Sequence, residues 1–212
     1  MKKISRIILL SVVLSLLFTM TANAIVFSDI SNHWARSYIE RVEKDGLVSG
    51  YEDGTFKPDN NVTVLESLIM LSRLYTIDDD IKKEIIDEYK PSLVTMQNVL
   101  YYEWSLDYLA VAIGLGIVSE QAVKDMFANK NIFQDAKREE VAVLLTRALG
   151  LEDEAKILKT YVLPFKDNAE ITASARPYIY LMYDKKIMVG DNEGNINPAD
   201  GIKRAESATL LV

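Results

Sequence analysis

The chain has 212 residues with 24 Lys+Arg, 31 Asp+Glu, one His and no Cys, for a net charge of −7. The missing Cys excludes disulfides, zinc–thiolate sites, iron–sulfur clusters and thiol nucleophiles, and the single His33 excludes a His-rich metal site. The acidic balance excludes a general nucleic-acid binder, which needs clustered Lys and Arg, and leaves no basic face for anionic lipid. Hydrophobic residues at 49% and aromatics at 9% match a globular chain, not a disordered one.

In chain order, residues 1–6 carry Lys2, Lys3 and Arg6 with no acid, residues 7–20 are apolar, and Ala22 and Ala24 stand in the A-x-A manner. This predicts a signal peptide over residues 1–24, cleaved after Ala24. The apolar run is shorter than the roughly 20 residues of a spanning helix. Losing three basic groups and no acid takes the net charge from −7 to −10. With no Cys after the signal, lipoprotein anchoring is excluded, and after cleavage no membrane partner is expected.

The mature chain repeats itself. Shifted by 140 residues, Gly50, Gly54 and Pro58 fall on Gly190, Gly194 and Pro198, Ala35 on Ala175, Ile39 on Ile179, and Glu66 on Glu206. A small slip places Phe27 and Asp29 on Phe165 and Asp167. A middle copy, offset by 70, places Trp34 on Trp104 and Gly46 on Gly116, and a further shift places Glu66 on Glu140. The middle copy lacks the turn-rich loop Gly50–Pro58. The expected organisation is repeat one at 27–75, a connecting helix or linker at 76–97, a degenerate repeat two at 98–150, a linker at 151–164, and repeat three at 165–212.

Each unit reads as helix, loop, helix. In the first, Trp34, Tyr38, Ile39 and Val42 share a helical face, and Gly46 stops the helix. Thr63-x-x-Glu66 is a capping box opening a second helix with the stripe Leu65, Leu68, Ile69 and Leu74. Residues 78–89 form an extra helix ended by Pro91. A unit of about 50 residues cannot bury a secure core alone. The expected fold is therefore mainly α: three pseudo-equivalent helix–loop–helix units packed as one pseudo-threefold helical bundle. Leu211 and Val212 align with Leu71 and Ser72 inside the second helix of unit one. The third unit is accordingly read as truncated, part of a longer protein.

Phe27-x-Asp29, His33-Trp34-Ala35, the Gly50-to-Pro58 loop and Thr63-x-x-Glu66 together resemble the S-layer homology domain, which occurs as three tandem copies on exported bacterial proteins. The resemblance implies a helical bundle that binds secondary cell-wall polysaccharide, often carrying pyruvate ketals. The family's Thr-Arg-Ala-Glu mark is divided here. Unit one keeps Thr63 and Glu66 but has Val64 in place of Arg. Units two and three keep Arg138 and Arg204 but have Lys137 and Lys203 in place of Thr.

Two readings compete at most of these positions. Arg138 and Arg204, with Lys137 and Lys203 beside them, are either solvated first-turn residues or, at a helix N-terminus, a fork for a carboxylate ligand. Either way these side chains are expected to be exposed. Trp34 and Trp104 are either core aromatics or platforms for a sugar ring. Asp29 and Asp167 cap a helix or close an Asx turn. Gly50 and Gly190 serve a turn or let a ligand approach the backbone. The resemblance favours the binding role for all ten: Asp29, Trp34, Gly50, Trp104, Lys137, Arg138, Asp167, Gly190, Lys203 and Arg204.

Other motifs fail. A calcium loop from Asp191 would need Gly and Glu where Ile196 and Ile202 stand. Asn61-x-Thr63 is a sequon by letter, but Thr63 serves as a cap. His33 has no nucleophile motif near it. Gly114-Leu115-Gly116 follows a helix, unlike a nucleotide fingerprint. No marked carboxylate pair supports glycoside hydrolysis, so no enzyme, metal or cofactor is expected. The expected function is non-covalent attachment to the cell wall through an acidic polysaccharide. The alternative is a structural or self-assembling envelope protein that does not bind polymer.

Overall fold

A computed structural model describes residues 27–96 and 99–212. The predicted signal peptide and its cleavage site lie outside the described residues. Among these the fold is mainly helical, with nine α-helices: α1 (Arg36–Lys44), α2 (Val64–Ser72), α3 (Asp79–Leu93), α4 (Leu106–Gly114), α5 (Glu120–Ala128), α6 (Arg138–Ala148), α7 (Glu152–Ile157), α8 (Arg176–Asp184) and α9 (Arg204–Leu210). Helix pairs α1/α2, α4/α6 and α8/α9 belong to units one, two and three.

The first helix of each unit ends in the same device. Leu47, Ile117 and Ile187 donate from their N–H to the carbonyls of Val42, Ala112 and Met182, with Gly46, Gly116 and Lys186 left-handed at φ 73°, 71° and 63°. This is the helix stop that glycine favours, and unit three builds it with a lysine. The capping box at Thr63 is complete: its hydroxyl accepts from the Glu66 N–H (3.2 Å), and the Glu66 carboxylate accepts from the Thr63 N–H (2.8 Å). Glu140 and Glu206 likewise accept from the N–H of Lys137 and Lys203, both at 2.9 Å. An ammonium has no lone pair to return the bond, so these two boxes are half built.

The segments entering the second helices close the molecule. Isolated antiparallel bridges join Asn61 to Lys203, Lys137 to Gly201, and Thr63 to Asp135. Around this ring the Val62 N–H donates to Ile202 O, the Ile202 N–H to Ala136 O, and the Ala136 N–H to Val62 O. Each unit thus bonds to both others. The second helix of each unit then packs on the first helix of the next: α2 on α4, α6 on α8, and α9 on α1. The result is a pseudo-threefold helical bundle with a shared core that includes Phe27, Phe56, Leu68, Leu109, Leu145 and Ile179.

Several local expectations change. Helix α2 is buried from Val64 to Ser72 except at Glu66, so it is a central helix and not a striped one. Helix α3 runs through Pro91 to Leu93. Proline there removes only one donor near the helix end, where the Val94 N–H still reaches Lys90 O. The loop missing from unit two is replaced by α5 and a 3-10 turn at Asn131–Phe133, whose Phe133 ring stacks on Tyr102. The signal for α5 was Ser119, whose hydroxyl caps it, followed by Val123 and Phe127 one turn apart.

Candidate functional site

Asp29 and Asp167 lie beneath equivalent loops. The Asp29 carboxylate accepts from the N–H groups of Phe56 (2.9 Å) and Lys57 (2.7 Å). Asp167 accepts from those of Ile196 (3.0 Å) and Asn197 (2.7 Å). Both carboxylates are loop staples. At Gly190, φ is 83° and a Cβ would stand 2.7 Å from Asn195 O, so the position admits only glycine. At Gly50 a Cβ would collide with the Phe27 ring. These four residues build the loops.

The same loops hold two carboxylates whose pKa values are depressed. The Thr55 hydroxyl and N–H donate to Asp53, and the Asn195 N–H and Asn197 side chain donate to Asp191, favouring the ionised forms. A depressed pKa stabilises the fold above the ordinary carboxylate value, and that contribution disappears as pH falls through the lowered one. Amide protection at 53–55 and 191–195 should therefore drop below about pH 4, ahead of protection in α2 and α6. Exchange measured by mass spectrometry across pH 2–6 checks this, and loops that open together with the helices would refute it.

Arg204 overturns the expectation of an exposed first-turn cation. It is 4% exposed. Its Nε donates to Phe56 O (2.8 Å), one terminal nitrogen donates to Ser49 O (3.0 Å), and the other to Glu66 Oε1 (3.2 Å). The guanidinium lies against the rings of Tyr51 and Phe56, 4.8 and 4.7 Å from their centroids. Arg138 makes the same reach from unit two into unit three, donating to Ile196 O (2.8 Å) and pairing with Glu206 (2.8 Å). Its side chain is 16% exposed. Each arginine leaves its own helix start to clasp the neighbouring unit. The reason is geometric: the ring of bridges sets the first residue of each second helix against the adjacent unit's loop. Val64 holds the third place, buried near Gln134 with no polar reach. Glu140, the counterpart of Glu66 and Glu206, therefore has no arginine clasp.

The tryptophans are not core. Trp34 is 63% exposed and Trp104 is 62% exposed, each just before the first helix of its unit. The face shared with Ile39 and Val42 is thus split, since only those two are fully buried. Trp34 stands beside His33 (ring centroids 5.4 Å apart), whose Nε2 lies 3.5 Å from Asp59 Oδ1. The Nζ of Lys203 donates to Asp59 O at 2.8 Å. Trp34, His33 and Lys203 therefore meet where unit three abuts unit one; the Arg138–Glu206 pair, which joins unit two to unit three, lies at the start of the same helix α9.

On unit one, Arg204 meets Glu66 and Tyr51, and just past the end of α2 Arg73 lies over the Tyr108 ring of unit two (4.6 Å). Trp104 precedes the helix that carries Tyr108. Tyr51 donates its hydroxyl to Glu66 (3.4 Å), and burial raises its pKa, Arg204 opposing and Glu66 adding to the rise. Where unit two abuts unit three, an open groove of about 580 Å³ is lined by Lys137, Glu140, Arg147, Val64 and Ser174 among others. Ser174 occupies the tryptophan position here. The three junctions are therefore unequal: an exposed tryptophan stands at two of them and Ser174 at the third, while arginine clasps run from unit three to unit one and from unit two to unit three but not from unit one, which has Val64. Among the described residues no cluster of His, Asp and Glu is arranged to hold a metal ion. Sequence reasoning did not place Tyr51, Arg73 or Tyr108 in the site; for Tyr108 the recurrence of tyrosine at 38, 108 and 178 was the available signal.

The S-layer homology domain family matches residues 26–63 and 164–208, which begin the first unit and span most of the third. An endoglucanase from Bacillus sp. (strain KSM-635) is 22% identical over 219 residues, covering 99% of this chain and 22% of that enzyme. The S-layer protein EA1 of Bacillus anthracis is 22% identical over 186 residues, 87% of this chain and 19% of that protein. A cellulosome-anchoring protein of Acetivibrio thermocellus is 40% identical over 45 residues, 21% of this chain and 10% of that protein. The chain spans about a fifth or less of the length of these relatives.

Proposed function

From a chain that carries S-layer homology domains at residues 26–63 and 164–208, we infer non-covalent attachment to the cell wall through an acidic secondary polysaccharide, pyruvylated on its sugar rings. In its coarser part the reading is of a secreted protein of the bacterial envelope whose role is anchoring, supported by the family matches and by the S-layer and cellulosome-anchoring relatives. The finer part rests chiefly on one observation, the pair of exposed tryptophans at equivalent unit junctions. An indole left in water at two matched places is a ready surface for the apolar face of a sugar.

In this reading Trp34 and Trp104 take sugar rings, and Lys203 and Arg73 face the ligand's carboxylates. Arg138 and Arg204 direct donors to the neighbouring unit, so they hold the groove walls in register. Lys137 marks the third junction, which contributes least. Asp29, Asp167, Gly50 and Gly190 act by fixing the loops. Two modest sites on one polymer gain by effective concentration, because the second contact is intramolecular.

The test is co-sedimentation with purified cell walls before and after the secondary polymer is stripped. Retention on native walls and loss on stripped walls is the expected result. Equal retention on both would sink the polymer reading and favour a structural or self-assembling envelope protein. Catalytic turnover forms no part of the proposed function.

A further inference from the structure

The segment between α7 and the third unit is an irregular strap that carries basic residue Lys159. Residues 158–164 have no regular structure, and Leu158 is already extended at ψ 114°. Among the described residues, none of the backbone N–H groups from Lys159 to Leu163 donates to the rest of the protein. Lys159, Thr160 and Val162 are exposed, Val162 at 80%. The strap is tethered midway by Tyr161, whose ring lies 5.3 Å from that of Tyr180.

Proteases bind substrates as extended strands through main-chain hydrogen bonds, with alternate side chains entering pockets. A free, extended, exposed strap already has that form. We propose that Lys159–Thr160 is a cleavage site for a protease with an acidic primary pocket, and that the nicked protein remains whole. In the reaction water adds across this peptide bond, leaving a carboxylate on Lys159 and an amine on Thr160; no other reactant is needed.

The selectivity follows from the other basic residues. Lys57 is held by the bond from its N–H to Asp29. The N–H groups of Lys130, Lys166 and Lys186 donate to Phe127, Gly194 and Tyr183. Lys156 lies in α7 and pairs with Glu152. Residues 91–123 contain no Lys or Arg at all. Cleavage at the bonded sites requires local opening first, which slows it by the opening equilibrium.

The pieces stay together because the ring is closed across the cut. The piece beginning at Thr160 keeps the main-chain bonds from Val62 N–H to Ile202 O, from Arg138 N–H to Asp200 O, and from Ala205 N–H to Pro58 O. It also keeps the buried Arg204 inside unit one and Glu206 on Arg138. Nicking therefore yields a two-piece protein of unchanged shape.

The experiment is limited trypsin digestion of the folded chain, read by intact-mass spectrometry and size-exclusion chromatography at micromolar concentration. Cuts before residue 27 are set aside, because they precede the first unit. The expected first product is cut between Lys159 and Thr160 and elutes at the intact volume. Lys159→Gln should slow the loss of intact chain by about tenfold or more. A first cut elsewhere, including Lys156, or no cut before global unfolding, overturns the site. Separation of the two pieces on the column overturns the ring-closure half of the proposal.

Discussion

Replacing Arg204 with alanine should lower the unfolding free energy by about 3 kcal/mol, the cost typical of breaking a buried charged network by removing one partner. The side chain is 4% exposed and gives its donors to Phe56 O, Ser49 O and Glu66. Truncation leaves two carbonyls without their donor and a carboxylate without its counter-charge, and removes the group packed between Tyr51 and Phe56. Glu66 is partly solvated, with 29% of its side chain exposed, so water takes up some of that loss and holds the figure near the lower end of the range. For a chain of this size a melting temperature lower by about 6–12 °C follows. Arg204→Lys should recover only part of it, since an ammonium cannot fill a planar fork with three separate acceptors. Arg138→Ala should cost less, because its side chain is 16% exposed and donates to one carbonyl and one carboxylate. Denaturant melts of the three variants, followed by circular dichroism, decide the matter. An Arg204→Ala variant as stable as the parent would show that the clasp is incidental to ring closure.

That ordering could not be drawn from sequence, and the reason is physical. Spacing within a helix tells which residues share a face, but Arg204 is defined by Phe56, 148 positions earlier. A cation at a helix start looks like a solvated surface group until the ring of bridges turns that start toward another unit. The tryptophans failed in the opposite sense. Helical spacing placed Trp34 with Ile39 and Val42, yet Trp34 precedes α1 by two positions and leaves the buried face. What was legible is what the repeats carry locally: the Thr63–Glu66 cap, the glutamates at 140 and 206, the glycine stop at Gly46 and Gly116, and the turn between Gly50 and Pro58. Three such units of about 50 residues have to share a core, and the pseudo-threefold bundle follows. Where a repeat lost its motif, the sequence carried less. The helix α5 stands in place of a loop, and its start at Ser119 was visible only as an ordinary cap.

Removing both exposed indoles should separate binding from stability. Trp34→Ala and Trp104→Ala change side chains that are 63% and 62% exposed, so each should alter unfolding free energy by no more than about 0.5 kcal/mol. If these rings carry the sugar contacts, each single variant should lose roughly thirtyfold in affinity at its own junction, the scale of an aromatic hot spot at an interface. The double variant should lose more than the product of the singles in apparent wall affinity, because two linked sites no longer share one polymer. Arg204→Ala supplies the contrast: it should melt earlier, while the double tryptophan variant should melt like the parent and bind poorly. Ser174→Trp offers the converse, an indole placed at the junction of units two and three, beside the open groove lined by Lys137 and Arg147. Calorimetric titration with solubilised wall polysaccharide, paired with thermal melts of the same samples, separates these outcomes. Parental affinity in the Trp34→Ala, Trp104→Ala protein would remove the tryptophans from the site, and leave Lys203 and Arg73 as the groups to account for wall attachment.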